Sequence, residues 1–195
     1  MVLYIPGGTV HATPKDGTPD ALSVCMLTLI TGGCRSGKSA YAIAIASASP
    51  ASRKFFIATA EALDDEMRAR IAHHRQFRPV EFQTIEEPQK LGAAIGSLHG
   101  CADVVVVDCL TLWISNLLRE YSDDTILAEA EALARSFLRA PFSTIVVTDE
   151  VGWGVVPDNA VARRFRDLLG WTNQKIARVA DDVLLMAAGY PLRLK

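Results

Sequence analysis

A glycine-rich stretch near the start of the chain has the residue types that bind phosphate. Residues 29–44 read LITGGCRSGKSAYAIA, in which an apolar run precedes the glycines and a helix-like segment follows them. Glycines let successive backbone N–H groups turn toward an anion at the start of a helix. Lys38 would then place a positive charge at the β and γ phosphates of a nucleotide, and the Ser39 hydroxyl would bind Mg²⁺. The alternative is a turn that binds nothing. The pattern predicts a phosphate-binding loop made of Gly32, Gly33, Cys34, Arg35, Ser36, Gly37, Lys38 and Ser39.

An aspartate ends a second apolar run, VVVVD, at position 108. A carboxylate at the end of a buried strand beside a phosphate-binding loop can bind Mg²⁺ directly or through water. Asp108 and Ser39 are therefore the candidate metal ligands. The alternative is that Asp108 caps a helix predicted to begin at Thr111.

A third apolar run, STIVV, is followed by TDEVGWGVVPDN. Asp149 and Glu150 would lie at the carboxyl edge of a parallel sheet, where ligands of such sheets bind. They could contact metal or substrate, or be solvated acids in an ordinary turn. Gly152 and Gly154 suggest a mobile loop, and Trp153 between them could stack on a flat ligand or cover the core.

The segment DDEMRARIAHHRQFRP contains two adjacent histidines. On a helix, Met67, Arg70, Ile71 and His74 share one face, because they are spaced by three, four or seven residues. His73 points about 100° away, so only one of the two histidines can face a given site. This spacing favours His74 as the inward residue, with a core histidine as the alternative.

Arginines surround these histidines. Arg70, Arg75 and Arg78 form a basic cluster that could bind phosphate. They could equally pair with the acidic residues 64–66. The spacing alone does not separate these two interpretations.

Strand-like and helix-like segments alternate along the chain from residue 27 onward. The strand-like runs are continuously apolar, which is typical of parallel strands covered on both faces. Asp158 or Asn159 would cap the last helix. Strands are predicted at 27–31, 54–58, 81–84, 103–107, 143–148 and 182–187, and helices at 38–49, 64–76, 88–98, 111–120, 124–139 and 158–180. This alternation predicts an α/β protein with a mainly parallel, doubly wound sheet, which together with the loop is a three-layer fold of the P-loop NTPase type.

The composition limits the possible partners. The chain has 195 residues, 50% of them hydrophobic and 22% charged, and a formal net charge of −2. This balance gives no general attraction to nucleic acid or to an anionic membrane, so small-molecule substrates are favoured. Four cysteines without a C-x-x-C pair suit a reducing compartment. No apolar run is long enough to span a membrane and no secretion signal is present, so a cytoplasmic location is expected.

The first 25 residues differ from the rest in composition. They contain three prolines and three glycines and show no sustained hydrophobic period. We predict a poorly ordered N-terminal extension at 1–25, or an upstream start, followed by one domain at 26–195. A lid over the nucleotide is the alternative.

Five blocks, in order, resemble the bifunctional adenosylcobinamide kinase and adenosylcobinamide-phosphate guanylyltransferase family of cobalamin biosynthesis. They are TGGCRSGKS, IATAEALDDEMRARIAHHRQFRP, VVVVDCLTLWISNLL, TDEVGWGVVPDNAVARRFRDLLGWTNQKIA and AAGYPLRLK, and together they extend over residues 26–195. The family's guanylylated histidine belongs to a pattern R-I-x-x-H-x-x-x-R-P. In this chain His74 occupies the histidine position.

The resemblance implies two reactions. Adenosylcobinamide is phosphorylated with ATP or GTP, and GMP is then transferred from GTP through His74. Lys38 is the second catalytic residue and Mg²⁺ the cofactor, and family members are trimers. Some members have glutamate where this chain has Asp108, and the shorter acid should still reach Mg²⁺ through water. A kinase with one activity, or a non-catalytic nucleotide switch, is the alternative function. The implied nucleotide contacts beyond the loop are Ala58, Thr59, Ala60, Arg75, Gln76, Phe77, Arg78, Glu86 and Asp108.

Overall fold

Apolar runs in the sequence form the strands at the centre of the fold. The computed structural model describes residues 25–62, 64–76 and 78–195, without the side chains of Arg70, His73 and His74. Strands β2 and β4 are almost wholly buried, as continuous apolar runs predict. The strands are β1 (Leu27–Gly32), β2 (Lys54–Ala58), β3 (Phe82–Glu86), β4 (Val104–Asp108), β5 (Ser143–Val147), β6 (Asp182–Ala187) and β7 (Tyr190–Arg193).

Helices connect these strands. Amphipathic segments with apolar residues at helical spacing form them, as in α5, whose buried residues include Ile126, Ala130 and Leu133. Asn159 caps α6 by accepting hydrogen bonds from the backbone N–H groups of Val161 and Ala162, which confirms one of the two predicted caps. The helices are α1 (Lys38–Ala48), α2 (Asp65–Gln76), α3 (Leu91–Ser97), α4 (Leu110–Leu117), α5 (Asp123–Arg139) and α6 (Ala160–Val179).

The strands form one sheet in the order β3-β2-β4-β5-β1-β6-β7. All neighbouring pairs are parallel except β6 and β7. One core cluster packs α3, α4, α5 and α6 against one face, and a second packs α1 against the other. The predicted three-layer α/β fold with a mainly parallel, doubly wound sheet is therefore confirmed.

The short strand β7 was missed by the sequence analysis. It pairs antiparallel with β6 through a tight turn at Ala188 and Gly189, both of which have positive φ. All of its residues are exposed, so YPLR has no buried face that would produce a periodic signal. Pro191 is tolerated because β7 is an edge strand.

Helix α3 is shorter than predicted. It begins at Leu91 rather than at residue 88, because the Glu87 carboxylate accepts hydrogen bonds from the backbone N–H groups of Gln89 and Lys90 and fixes a turn there. No helix in the described part of the chain has both the length and the apolar character needed to cross a membrane. The prediction for residues 1–25 falls, apart from Cys25, outside the described residues.

Candidate active site

The glycine-rich loop lies between β1 and α1, as predicted. Gly32 ends β1 with φ of +146°, and a Cβ atom there would lie 2.4 Å from the carbonyl oxygen of Met186 on β6. Gly37 precedes α1 with φ of +96°. Both positions therefore favour glycine, because a positive φ is strained for residues that have a Cβ atom. The loop passes the N-terminus of α1, where free backbone N–H groups favour an anion.

Lys38 is buried within this loop. Its Nζ atom donates a hydrogen bond of 2.6 Å to the carbonyl oxygen of Gly33 and lies 2.6 Å from Oδ1 of Asp149. The side chain is only 8% exposed, whereas that of Asp149 is 29% exposed. The ammonium group is thus fixed beside the loop backbone, and Asp149 is its anionic partner. An incoming phosphate group would compete with this carboxylate for Lys38.

Asp149 is itself positioned by two side chains from helices. Its backbone N–H donates to Oγ1 of Thr111 at 2.8 Å, and its carbonyl oxygen accepts from Nδ2 of Asn173 at 3.1 Å. Asn173 also accepts a 2.7 Å hydrogen bond from the Thr148 hydroxyl. The sequence analysis named neither Thr111 nor Asn173 as a site residue, although both lie within the quoted blocks, because spacing along the chain does not show that they contact Asp149.

Asp108 ends β4, which is separated from β1 by β5. Two strand spacings place the ends of β4 and β1 about 10 Å apart. Helix α4 begins at Leu110, and its N-cap residue is Cys109 rather than Asp108. The acid belongs to the carboxyl edge of the sheet, on the same edge as the loop.

A buried network fixes the backbone next to Asp108. The Thr59 hydroxyl donates to the Cys109 carbonyl oxygen at 2.7 Å and accepts from the Cys109 N–H at 2.8 Å. Asn116 donates to the carbonyl oxygens of Thr59 and Pro88. Burial raises the pKa of the Cys109 thiol to about 12. Ala58, Thr59 and Ala60, which the resemblance associates with nucleotide, thus lie beside Asp108 at this edge.

The oxygen donors at this edge suit Mg²⁺. Ser39 lies half-buried in the first turn of α1, and Asp108 and Asp149 supply carboxylates. No three His, Cys, Asp or Glu residues of the described chain are close enough to bind a metal by themselves. Mg²⁺ typically takes one or two protein oxygens and completes its shell with phosphates and water, so this donor set fits a nucleotide-bound ion.

A basic groove lies near β2 and β3. Arg78 lies over the Phe56 ring, with its guanidinium carbon 4.2 Å from the ring centre, and its Nε and Nη1 atoms are buried without a hydrogen-bond partner among the described residues. Burial lowers the pKa of Arg78, an effect that the nearby Asp108 carboxylate opposes. Arg75 pairs with Glu86. The groove encloses about 350 Å³ and is lined by Arg75, Arg78, Pro79, Val80, Phe82, Thr84 and Glu86.

Among the arginines of this segment whose side chains the structure describes, Arg68 contacts Asp65, and the Arg70 side chain lies outside the described part. Arg75 contacts Glu86 instead. The buried Nε and Nη1 atoms of Arg78 that have no described partner are donors available to an anion. Arg78 therefore favours the phosphate-binding interpretation of the cluster.

Both histidines belong to α2. Met67 and Ile71 are its partly buried residues, whereas Arg68, Ala69 and Ala72 are exposed, so the more buried stripe is the predicted one. The side chains of Arg70, His73 and His74 lie outside the described part, as does Phe77. Gln76 ends the helix and is exposed. The choice of His74 stays a prediction.

Glu150 connects the strand edge to the loop after β5. Its backbone N–H donates to the carbonyl oxygen of Gly32 at 3.0 Å, and its carboxylate accepts from the N–H of Gly152 at 2.8 Å. Trp153 is 77% exposed. The alternative that Trp153 covers the core is therefore wrong.

The phosphate-loop geometry and the parallel sheet define a class. A glycine loop between β1 and α1, an enclosed lysine and carboxylates at the carboxyl edge are the features of a P-loop nucleotide-binding protein. A solved structure of the RadB recombinase is similar, with a TM-score of 0.46 and 19% identity over 82% of this chain and 73% of that chain.

Sequence comparison identifies the family within this class. The profile of the family "Cobinamide kinase / cobinamide phosphate guanyltransferase" matches residues 28–194, and the chain belongs to this family. It is 40% identical to the bifunctional adenosylcobalamin biosynthesis protein CobU of Escherichia coli, covering 87% of this chain and 100% of that protein. It is 42% identical to the corresponding CobP of Pseudomonas aeruginosa, over 87% of this chain and 98% of the relative.

Proposed function

We propose that this protein phosphorylates adenosylcobinamide, using ATP or GTP, and then transfers GMP from GTP to the phosphate it has made. The observation that carries the proposal is that Arg78, from the second motif, lies near Asp108 at the carboxyl edge that also holds the phosphate loop. The phosphate loop follows β1, and the segment with R-I-x-x-H-x-x-x-R-P joins β2 to β3, where Arg78 lies near Asp108. The family membership supports both reactions.

In the first reaction the aminopropanol hydroxyl of the acceptor attacks the γ phosphorus and loses its proton, a new P–O bond forms, the bond to the β–γ bridging oxygen breaks, and the nucleoside diphosphate leaves. Lys38 and the backbone N–H groups of the loop stabilise the negative charge on the transferred group. The Asp149 carboxylate, 2.6 Å from the lysine Nζ, holds the side chain in place until the phosphate replaces it. Mg²⁺ bound near Ser39 and Asp108 would neutralise phosphate charge.

In the second reaction His74 acts as the nucleophile. One imidazole nitrogen attacks the α phosphate of GTP, a P–N bond forms, and the P–O bond to pyrophosphate breaks. A phosphate oxygen of cobinamide phosphate then attacks the same phosphorus, the P–N bond breaks, and adenosylcobinamide-GDP is released. Arg78, with its buried donors, and Arg75 would orient the triphosphate.

The protein would work as a homo-oligomer. Family members are trimers, and the resemblance supports the same assembly for this chain. Light scattering on the purified protein measures this directly, and a monomer at working concentration would contradict it.

The function is tested by labelling with GTP. Wild-type protein incubated with α-labelled GTP and Mg²⁺ should gain an acid-labile, base-stable label and release pyrophosphate, whereas γ-labelled GTP should leave none. His74→Ala should lose the label while retaining cobinamide phosphorylation. His73→Ala is the matched control and should still be labelled.

Two outcomes would change the assignment. Loss of label only in His73→Ala would make His73 the nucleophile. Absence of any label in wild type, with cobinamide phosphorylation intact, would leave a kinase with one activity. Nucleotide hydrolysis that is indifferent to cobinamide would instead favour a nucleotide switch.

A further inference from the structure

The connection between β5 and α6 exposes an unusual number of apolar side chains. Trp153 is 77% exposed and Val155 is 95% exposed. Exposed apolar side chains concentrated in one segment, unlike those scattered singly over a surface, often mark a binding site. The apolar residues of this segment, which we call the Trp153 loop (151–161), are Val151, Trp153, Val155, Val156, Pro157 and Val161, and all but Pro157 are exposed.

The Trp153 loop is fixed at both ends. At its start the Glu150 N–H donates to the Gly32 carbonyl oxygen, and the Glu150 carboxylate accepts from Gly152. At its end Arg163 on α6 donates to the carbonyl oxygens of Pro157 and Asp158 at 2.8 and 2.7 Å. The exposed side chains are therefore presented by a backbone that is anchored to the phosphate loop and to α6.

The loop lies close to the reacting phosphate. Lys38 is 2.6 Å from Asp149, and Trp153 is four residues further along the chain. A fully extended chain advances at most 3.6 Å per residue, so the Trp153 Cα lies within about 14 Å of the Asp149 Cα. A molecule that places a hydroxyl group at Lys38 can therefore also contact Trp153, provided that a short flexible arm connects the hydroxyl to the rest of the molecule.

The loop also differs in charge from the basic groove. The groove contains Arg75 and Arg78, which suit a nucleotide anion. Residues 151–159, VGWGVVPDN, contain no lysine or arginine. Its indole and valines suit a large, flat, mostly uncharged group rather than a phosphate.

We propose that the Trp153 loop binds the corrin macrocycle of the acceptor while the aminopropanol arm reaches the γ phosphate beside Lys38. This inference rests on the proposed kinase function and adds the residues that recognise its acceptor. A corrin ring with neutral amide side chains matches an exposed indole flanked by valines. Trp153 is thus a specificity residue, which binds the acceptor and leaves the chemistry to the phosphate loop.

Binding is measured by ultrafiltration with dicyanocobinamide, whose visible absorbance reports the free concentration. Trp153→Ala should weaken binding about tenfold or more, since it removes the stacking surface. Trp153→Phe should restore most of the affinity. The matched control is Trp171→Ala, which removes another half-exposed tryptophan from α6. In kinase assays Trp153→Ala should raise the KM for adenosylcobinamide and leave the KM for ATP near that of wild type.

The outcomes separate this inference from the proposed function. Unchanged dicyanocobinamide affinity in Trp153→Ala, with wild type still guanylylated and still phosphorylating cobinamide, would overturn only the inference. Failure of wild type to bind dicyanocobinamide or to phosphorylate cobinamide would overturn both. If Trp153→Ala instead dissociates an oligomer on gel filtration while cobinamide affinity is unchanged, a second copy of the chain covers the loop and the inference is wrong.

Discussion

Lys38 is paired with the Asp149 carboxylate inside the phosphate loop. The contact with Asp149 is 2.6 Å, and the lysine is almost fully buried. A buried ammonium without such a partner would be costly, so the acid stabilises a charged lysine inside the loop. The same ion pair lowers the net free energy gained when a phosphate binds Lys38, because the phosphate must replace the interaction with Asp149.

Removing this charge should disable phosphoryl transfer. Lys38→Met keeps the aliphatic stem and should lower the turnover of cobinamide phosphorylation roughly a hundredfold or more, because charge stabilisation of about 3 kcal/mol is lost. Steady-state phosphorylation with labelled ATP measures the effect. Lys175→Met, which removes a lysine paired with Glu131 on the surface, is the control and should have near-normal turnover. Near-normal turnover in Lys38→Met would place the reaction elsewhere.

Residue patterns in the sequence predicted part of this site. The spacing of Gly32, Gly37 and Lys38 placed the loop correctly because it is a local signal. The contact between Lys38 and Asp149 joins residues 111 positions apart and could not be read from either motif. Asn173 orients Asp149 from helix α6, 24 residues away in the same block, and no spacing rule predicts that contact. The pairing of Lys38 with Asp149 could therefore be identified only from the structure. The role of His74 stays a prediction.

At the scale of elements, Gly32 fixes how closely β1 and β6 approach. Gly32→Ala should destabilise the fold by about 3 kcal/mol, because φ is +146° and the new Cβ would lie 2.4 Å from the Met186 carbonyl oxygen. In a chain of this size that corresponds to about 10 °C in melting temperature. Gly33→Ala is the control, since its Cβ would meet nothing within 4 Å, and it should cost less than about 1 kcal/mol. Equal melting temperatures for the two variants would contradict this account.

A second contact between elements joins the residues that immediately precede strands β2 and β4. The Arg53 guanidinium donates to the Asp103 carboxylate, and the Arg53 backbone N–H adds a 3.0 Å hydrogen bond. These interactions lower the pKa of Asp103 to about 2. Because the folded-state pKa lies below the unfolded value of about 3.9, the carboxylate stabilises the fold fully above about pH 5 and loses this effect as the pH falls toward 2.

Asp103→Asn should therefore lower the urea midpoint at pH 7, and the difference from wild type should shrink as the pH falls from 4 to 2. Arg53→Met removes the same contact from the other side and should show the same convergence. A difference between wild type and Asp103→Asn that is constant across this range would show that the charge of Asp103 does not contribute.

Strands β1, β2 and β4 to β6 were predicted within one residue at each end, because a strand covered on both faces is apolar at every position. Strand β7 gave no such signal, since an exposed edge strand is fixed by its hydrogen bonds to β6 rather than by burial. The beginning of α3 was misplaced because the Glu87 side chain, and not a cap in the expected position, organises the turn before it.

Across the whole molecule, the phosphate loop, Asp108 and Asp149 lie at one edge of the sheet. The basic groove lies toward β3, the phosphate loop follows β1, and the Trp153 loop follows β5. The basic groove and the exposed apolar Trp153 loop therefore lie on the two sides of Asp108. The two proposed group transfers would then share one edge of the sheet without sharing all of their contacts.

The cysteines provide a chemical readout of occupancy at this edge. Cys34 is exposed in the phosphate loop and Cys101 is exposed elsewhere, whereas Cys109 is buried with its thiol pKa raised to about 12. Iodoacetamide should therefore modify Cys34 and Cys101 and leave Cys109 intact. GTP with Mg²⁺ should slow the alkylation of Cys34 several-fold and leave Cys101 unaffected, as peptide mass spectrometry can measure. Equal rates at Cys34 with and without GTP would mean that nucleotide does not cover the loop. The rate of Cys34 alkylation therefore measures the fraction of protein with bound nucleotide, and the measurement needs no corrinoid substrate.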